Sequence, residues 1–360
     1  MMYATRTYLR GSRQYRLLGI NTKGREIPRQ PFLQVYGMLR LIVMGARKMP
    51  QATNYKPIIS LVSSIRLDSY RTTFRPVDEC ELYGIYIWSQ HAAASIYPLL
   101  QNLEISLRNA VDREARVRFG EMWWESIHST KGRDECHFYK NIIKAKDCLT
   151  REWRKKEMRR RRGAGVQAQP APNWSHDQIV ASTDFSTWHY VLNNEYSAPA
   201  PRENPLYLWP KSLSKVFKNY AKINANPQKF RKELIDIIFE LREYRNRISH
   251  HEPIWVKAPN VNDARTAIDT IRVKINKIEL VIEALDINLL NVMRKVGLFA
   301  NARRVCSVEE LDIYRYIKPY CALSPEQISV IEQHCRDAKE KNETVIWEHN
   351  AAVFGLRTLR

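Results

Sequence analysis

Apolar residues recur every three or four positions along most of this chain, the repeat of an amphipathic helix. Ile58–Ile65 and Arg66–Tyr70 predict one or two short helices. From Val77 to Phe119 the pattern is helical, with Leu82, Ile85, Tyr86 and Ser89 at helical spacing. Pro98 is expected to kink this run or to start a new helix. Leu99, Leu100, Leu103, Ile105, Leu107 and Val111 then form a broad apolar face, and Gly120 supplies the stop. A further helix is predicted over 136–160, centred on Phe138 to Trp153. It runs into the basic stretch Arg151–Arg162 and a loop of Gly, Ala, Gln and Pro over Gly163–Pro172. Ile179–Leu192 reads as one helix holding Phe185, Trp188 and Val191, and Leu213–Phe217 as a short one.

Gln228–His250 reads as a long amphipathic helix with Phe230, Leu234, Ile237, Ile238 and Leu241 inward. Pro253 stops it. Asn262–Asn288 carries Ile268, Ile271, Ile275, Ile278 and Ile282 on one face. The chain from Leu289 onward looks appended. Ser307–Glu310 fits a capping box, and Ser324–Gln327 opens another helix with proline at its first position. There is no internal repeat and almost no convincing strand. The expectation is an all-α fold: a basic, poorly ordered extension over 1–50, a helical domain over 51–290 with a flexible basic loop near 154–175, and a helical extension over 291–360.

Composition agrees with helices, since 44% of the 360 residues are hydrophobic and only 12 are glycine. The formal charge of +20 adds a partner. It favours a polyanion, nucleic acid first and an anionic membrane surface second. Residues 1–48 hold ten basic side chains against Glu26 alone. That basic N-terminus reads either as a transit peptide or as residues upstream of a later start at Met44 or Met49, with the later start preferred. The six cysteines are dispersed without a CxxC pair, so no zinc knuckle or thioredoxin-like motif is supported, and no metal or other cofactor is expected. Dispersed cysteines fit reduced thiols in a cytoplasm. No apolar run reaches the roughly 20 residues that span a bilayer, so no membrane association is expected.

The candidate chemistry lies in Leu241–Trp255. Arg242, Arg245, Asn246 and Ser249 fall on neighbouring positions of one helix, and His250 sits five residues after Arg245 at its end. Arginine grips phosphate through a planar fork of donors, and histidine moves protons near neutral pH. RNA carries its own nucleophile, the 2′-hydroxyl. Cleavage therefore needs a base, a cation on the phosphorane and an acid at the leaving 5′-oxygen. His250 can be base or acid, Arg245 can hold the non-bridging oxygens, and Asn246 can orient either. One histidine cannot conveniently serve both proton roles, so a symmetric homodimer is expected. The same residues also fit a basic helix end that only complements the helix dipole.

Arg245-Asn-Arg-Ile-Ser-His-His-Glu-Pro-Ile254 resembles the signature of the Abi-like abortive-infection proteins of the HEPN ribonuclease superfamily. Its R-x(4–6)-H motif is Arg245-Asn-Arg-Ile-Ser-His250. Similar blocks precede it in the same order: Ser64–Tyr70, Leu82–Trp88, Leu103–Ala110, Phe119–Trp124, Ile179–Trp188 and Leu208-Trp-Pro210. The resemblance spans about 57–290. It implies a HEPN-type helical bundle, a metal-independent endoribonuclease with dimeric composite sites, and a role in phage defence. It also implies a catalytic pair, Arg245 and His250, assisted by Asn246. Glu104, Arg108 and Asn109 can line the same site from an earlier helix, or form an ordinary surface pair. His251 and Glu252 match the pattern, and a capping role fits them equally. Ser186 stands where the family usually has glycine, which leaves the local backbone there open. An antitoxin, a non-coding RNA or an autoinhibited conformation is the expected restraint. Two other readings stay open, an RNA-binding module without turnover and a factor using its basic N-terminus on anionic lipid.

Overall fold

The computed structural model describes residues 54–164, 167, 169–256, 258–315, 328–342, 344–349 and 352–356. The fold is all-α, with almost no strand among the described residues. In chain order the helices are α1 (Lys56–Val62), α2 (Ser64–Phe74), α3 (Glu79–Phe119), α4 (His137–Ala164), α5 (His176–Ala181), α6 (Phe185–Tyr190) and α7 (Leu213–Val216). They continue as α8 (Pro227–Ser249), α9 (Ala264–Leu285), α10 (Ile287–Lys295), α11 (Leu298–Val305), α12 (Val308–Arg315) and α13 (Ile328–Lys341). The N-terminal extension expected over 1–50 and the helix start expected at Ser324–Gln327 lie outside the described residues.

The spine is α3, 41 residues long and about 60 Å at helical rise. Asp78 caps it by accepting a hydrogen bond from Glu81 N at 2.7 Å, while Glu81 accepts from Val77 N at 2.8 Å. Pro98 does not break it. An interior proline costs about 3 kcal/mol. Burying one Leu or Ile side chain returns about 1.5–3 kcal/mol. Trp88, Ala92 and Ile96 on one side of Pro98, and Leu99, Leu100 and Leu103 on the other, are all buried. That packing outweighs the missing hydrogen bond. Ile105, expected inward, is 40% exposed.

Four expectations are corrected. First, the chain beyond 290 is not appended through Arg315. Helices α11 and α12 pack on α3: Trp88 Nε1 donates to Val305 O at 2.9 Å, Arg315 pairs with Glu81, and Cys306 and Leu311 are fully buried. Such short helices have weak periodicity, and their apolar partners lie far away in sequence. Second, the C-terminal region is not wholly helical. Strands β1 (Val345–His349) and β2 (Ala352–Leu356) pair antiparallel, with Val345 opposite Leu356 and Trp347 opposite Phe354. Third, the first part of the flexible basic loop expected near 154–175 is helical, since α4 continues to Ala164. Arg, Lys, Glu and Met are strong helix formers, and Arg160 pairs with Glu157 one turn back. Fourth, Ile179–Leu192 is not one helix. Asp184 accepts from Thr187 N at 3.1 Å and caps α6 afresh, the local competition with helix that short polar side chains provide.

A buried polar cluster ties α5 to α3. His176 Nε2 lies 2.8 Å from Asp112 Oδ1, Trp123 Nε1 donates to the same oxygen at 2.8 Å, and the Trp124 ring stacks on His176. Leu311→Ala should destabilise the fold by about 2–4 kcal/mol, measured by urea unfolding. A change below about 0.5 kcal/mol would show that α12 is not part of the core.

Candidate functional site

The site is built at the C-terminal end of α8. Asn226 caps its start, accepting from Gln228 N and Lys229 N, with Pro227 at the first position. Phe230, Leu234, Ile238, Leu241, Tyr244 and Ile248 form its buried face. This face fixes the rotation of the helix and leaves Arg245 and Asn246 half-buried at its edge.

The helix stops in a Schellman turn. Glu252 N donates to Arg247 O at 2.9 Å and His251 N to Ile248 O at 3.1 Å. His251 occupies the left-handed position, φ 57°, which glycine usually takes. Arg247 locks the turn by donating to Pro253 O at 2.9 Å and Trp255 O at 3.2 Å, and Arg66 Nη1 donates to His251 O at 2.8 Å. The fully buried Trp255 anchors the outgoing chain. The His251 backbone is thus a structural corner, and its imidazole is exposed beside that of His250.

Arginines in this fold divide by how fully their donors are used. Arg118 donates to four backbone carbonyls and Ser212 Oγ. Arg242 donates to Glu243 and His189, and lies over the Phe239 and Tyr190 rings. It is committed to packing α8 against α6, although its spacing along the helix suggests an RNA contact. Arg245 differs. Among the described residues its guanidinium makes one hydrogen bond, Nη1 to Asn246 Oδ1 at 3.4 Å. Its buried Nε has no hydrogen-bond partner and faces Glu104 Oε2 at 3.8 Å. Five donors sit on a side chain that is 30% exposed.

Helix α3 therefore does bring Glu104 to Arg245. Burial pushes the Glu104 carboxyl up, the Arg245 guanidinium pulls it down, and Asp184 pushes it up again. Arg108 lies in the same field, and its Nε donates to Asn109 Oδ1 at 3.2 Å. Asn109 is exposed. Among the described residues no hydrogen bond joins the His250 imidazole to Arg245, Asn246 or Glu104, so the pair sits on one helix end without touching.

Sequence reasoning missed Asp184 and His189. The cap signal Thr183-Asp184 is present, but the apolar residues on either side of it mask it. His189 is buried, with Nδ1 3.2 Å from Arg242 Nη1. A guanidinium only donates, so Nδ1 accepts and the ring is neutral. Burial, then the Arg242 charge, lowers its pKa to about 4. Ser186, where glycine was expected, adopts an ordinary helical start; its hydroxyl donates to Asp184 and accepts from Asn141 Nδ2 at 2.9 Å. Among the described residues no group of three or more His, Cys, Asp or Glu is placed to hold a metal ion, and no helix is long and apolar enough to cross a membrane.

Two outcomes follow from this geometry. The unfolded chain binds a proton at His189 near the ordinary 6.5, whereas the fold resists it down to about 4. Stability should therefore fall as pH drops from 6.5 to 4, by at most about 1.4 kcal/mol per pH unit, and then level off. In urea titrations across pH 4–7, His189→Gln should show a shallower fall than wild type; an identical slope would rule the assignment out. His251→Gly should raise stability by about 0.5–1 kcal/mol by relieving the left-handed strain, and a loss instead would contradict the corner described. No protein-family model matches this chain, nor does any curated protein or solved structure.

Proposed function

We propose that this protein is a metal-independent endoribonuclease of the Abi-like HEPN type, with Arg245 and His250 as its catalytic pair. The observation that carries the reading is the under-used Arg245 guanidinium, half-exposed one turn before the exposed His250. Arg118, by contrast, spends its donors on four backbone carbonyls and Ser212 Oγ. The 3.8 Å contact of Arg245 with Glu104 is too long for a hydrogen bond, so a phosphate can take its place and gain a charge-assisted fork.

In this reading one His250 takes the proton from the 2′-hydroxyl as it attacks phosphorus. Arg245 holds the non-bridging oxygens of the phosphorane, with Asn246 steadying the guanidinium. The 5′-oxygen leaves with a proton, and the product end is a 2′,3′-cyclic phosphate. The His250 of a second copy is the acid, which makes the working form a symmetric dimer. A cytoplasmic role in phage defence by abortive infection rests on the sequence resemblance. The absence of a hydrogen bond between His250 and Arg245 also suits a second reading, in which the cluster binds RNA phosphate without turnover.

One assay separates them. RNA cleavage should persist in EDTA and yield 2′,3′-cyclic ends. His250→Ala should lower the rate by about 10²–10⁴ while leaving RNA affinity within a few-fold. Arg245→Ala should lower the rate by about 10²–10³. Cleavage abolished by chelation, or retained in full by His250→Ala, would count against the mechanism. RNA binding with no product at any time would favour the second reading.

A further inference from the structure

We propose that the exposed basic face of α4 is the track that carries the RNA backbone to Arg245. This rests on the ribonuclease reading above and adds to it a binding surface remote from the chemistry.

Helix α4 carries eleven Lys and Arg side chains against three acidic ones in 28 residues, over about 42 Å. Its first half is packed, with Phe138, Ile142 and Ala145 buried. From Arg151 to Arg162 only Trp153 and Glu157 are withdrawn from solvent. Among the described residues, two of the eleven cations form ion pairs: Lys146 with Glu125, and Arg160 with Glu157. Lys155 faces Arg159, and Lys156 faces Arg160, at the i,i+4 spacing where like charges repel. The fold supplies too few anions to offset this row, so its counter-charge comes from outside.

The row is also shaped and aimed. Lys140, Lys144, Arg151 and Arg154 line a shallow groove of about 490 Å³. None of the four forms an ion pair within 4 Å among the described residues. The near end of the groove adjoins the start of α6. Asn141 Nδ2 donates to Ser186 Oγ, and the Lys144 charge acts on Asp184. Asp184 in turn acts on Glu104, the partner of Arg245. Helix α6 packs on both α4 and α8 and meets α8 at Arg242, three residues from Arg245, so a polyanion lying on α4 is led toward the candidate catalytic arginine. A continuous chain of phosphates matches a linear row of unpaired cations along one helix face. A membrane surface would call for apolar side chains beside those cations, and of the groove residues only Ile143 is apolar.

The test uses the full chain. In a His250→Ala background, Lys140, Lys144, Arg151 and Arg154 are all changed to Gln, and the affinity for a single-stranded RNA is followed against salt. Affinity should fall at least tenfold, and the slope of log affinity against log salt should shrink by about 2–3, near 0.7 for each phosphate no longer neutralised. A control with Lys211, Lys229, Lys295 and Lys339 changed to Gln loses the same charge elsewhere and should fall much less. Swapping Lys for Arg and Arg for Lys at the four groove positions should leave binding intact. Equal losses in the groove and control variants would overturn the track and leave only bulk charge. So would loss of binding to phosphatidylserine vesicles with RNA affinity unchanged. If wild-type protein cleaves RNA but the groove variant binds normally, the track fails and the ribonuclease reading stands. If nothing is cleaved but binding depends on the groove, the track stands and catalysis fails.

Discussion

The burial of α3 along nearly its whole length is the constraint on which the rest of the structure depends. Fifteen of its residues are buried, and elements from both ends of the chain close over it. Helices α1 and α2 cover it from one end of the sequence, α8 and α9 from the middle, and α11 and α12 from beyond residue 297. A helix so enclosed cannot bend at Pro98 without opening cavities on both sides, so the broken hydrogen bond is tolerated. Because α3 is rigid, Glu104 and Arg108 are held at a fixed height against α8.

The second determinant is the way α8 stops. Pro253 disfavours helical geometry just before it, but the corner itself is made by His251, Arg247, Arg66 and Trp255. Those residues hold the outgoing chain so that Arg245 stays at the rim, neither sealed in the core nor loose in solvent. The neighbouring arginines show what the alternative looks like. Arg242 is stacked and bonded, and Arg247 turns its Nη2 onto the Pro253 and Trp255 carbonyls. Arg245, between the buried face and solvent, combines a fixed stem with unused donors.

Charge is organised in the same manner. Many cations of the folded body are matched by local carboxylates, as Lys274 and Lys277 are by Glu240 and Arg303 by Glu279. Helix α4 is where this matching lapses for a long stretch. Arg242 is held from both sides, by the Glu243 carboxylate and by the neutral His189 ring that seats it against α6.

The long elements were legible in the sequence. The 3.6-residue repeat of Phe230 to Leu241 and of Ile268 to Ile282 marked α8 and α9, because one buried face leaves a periodic trace. Asp184 was legible as a cap but was overridden by the apolar residues around it. The short helices α11 and α12 were misjudged, since eight residues are too few to show a period and their partner Trp88 lies at the other end of the chain. By itself the sequence determined the all-α class and the stop of α8 before Pro253, both of which follow from neighbours along the chain. Tertiary structure alone decided that Glu104 meets Arg245, that 291–315 joins the core, and which arginines keep donors to spare. A repeat specifies which face is buried, whereas hydrogen-bond satisfaction depends on atoms that only packing brings within reach.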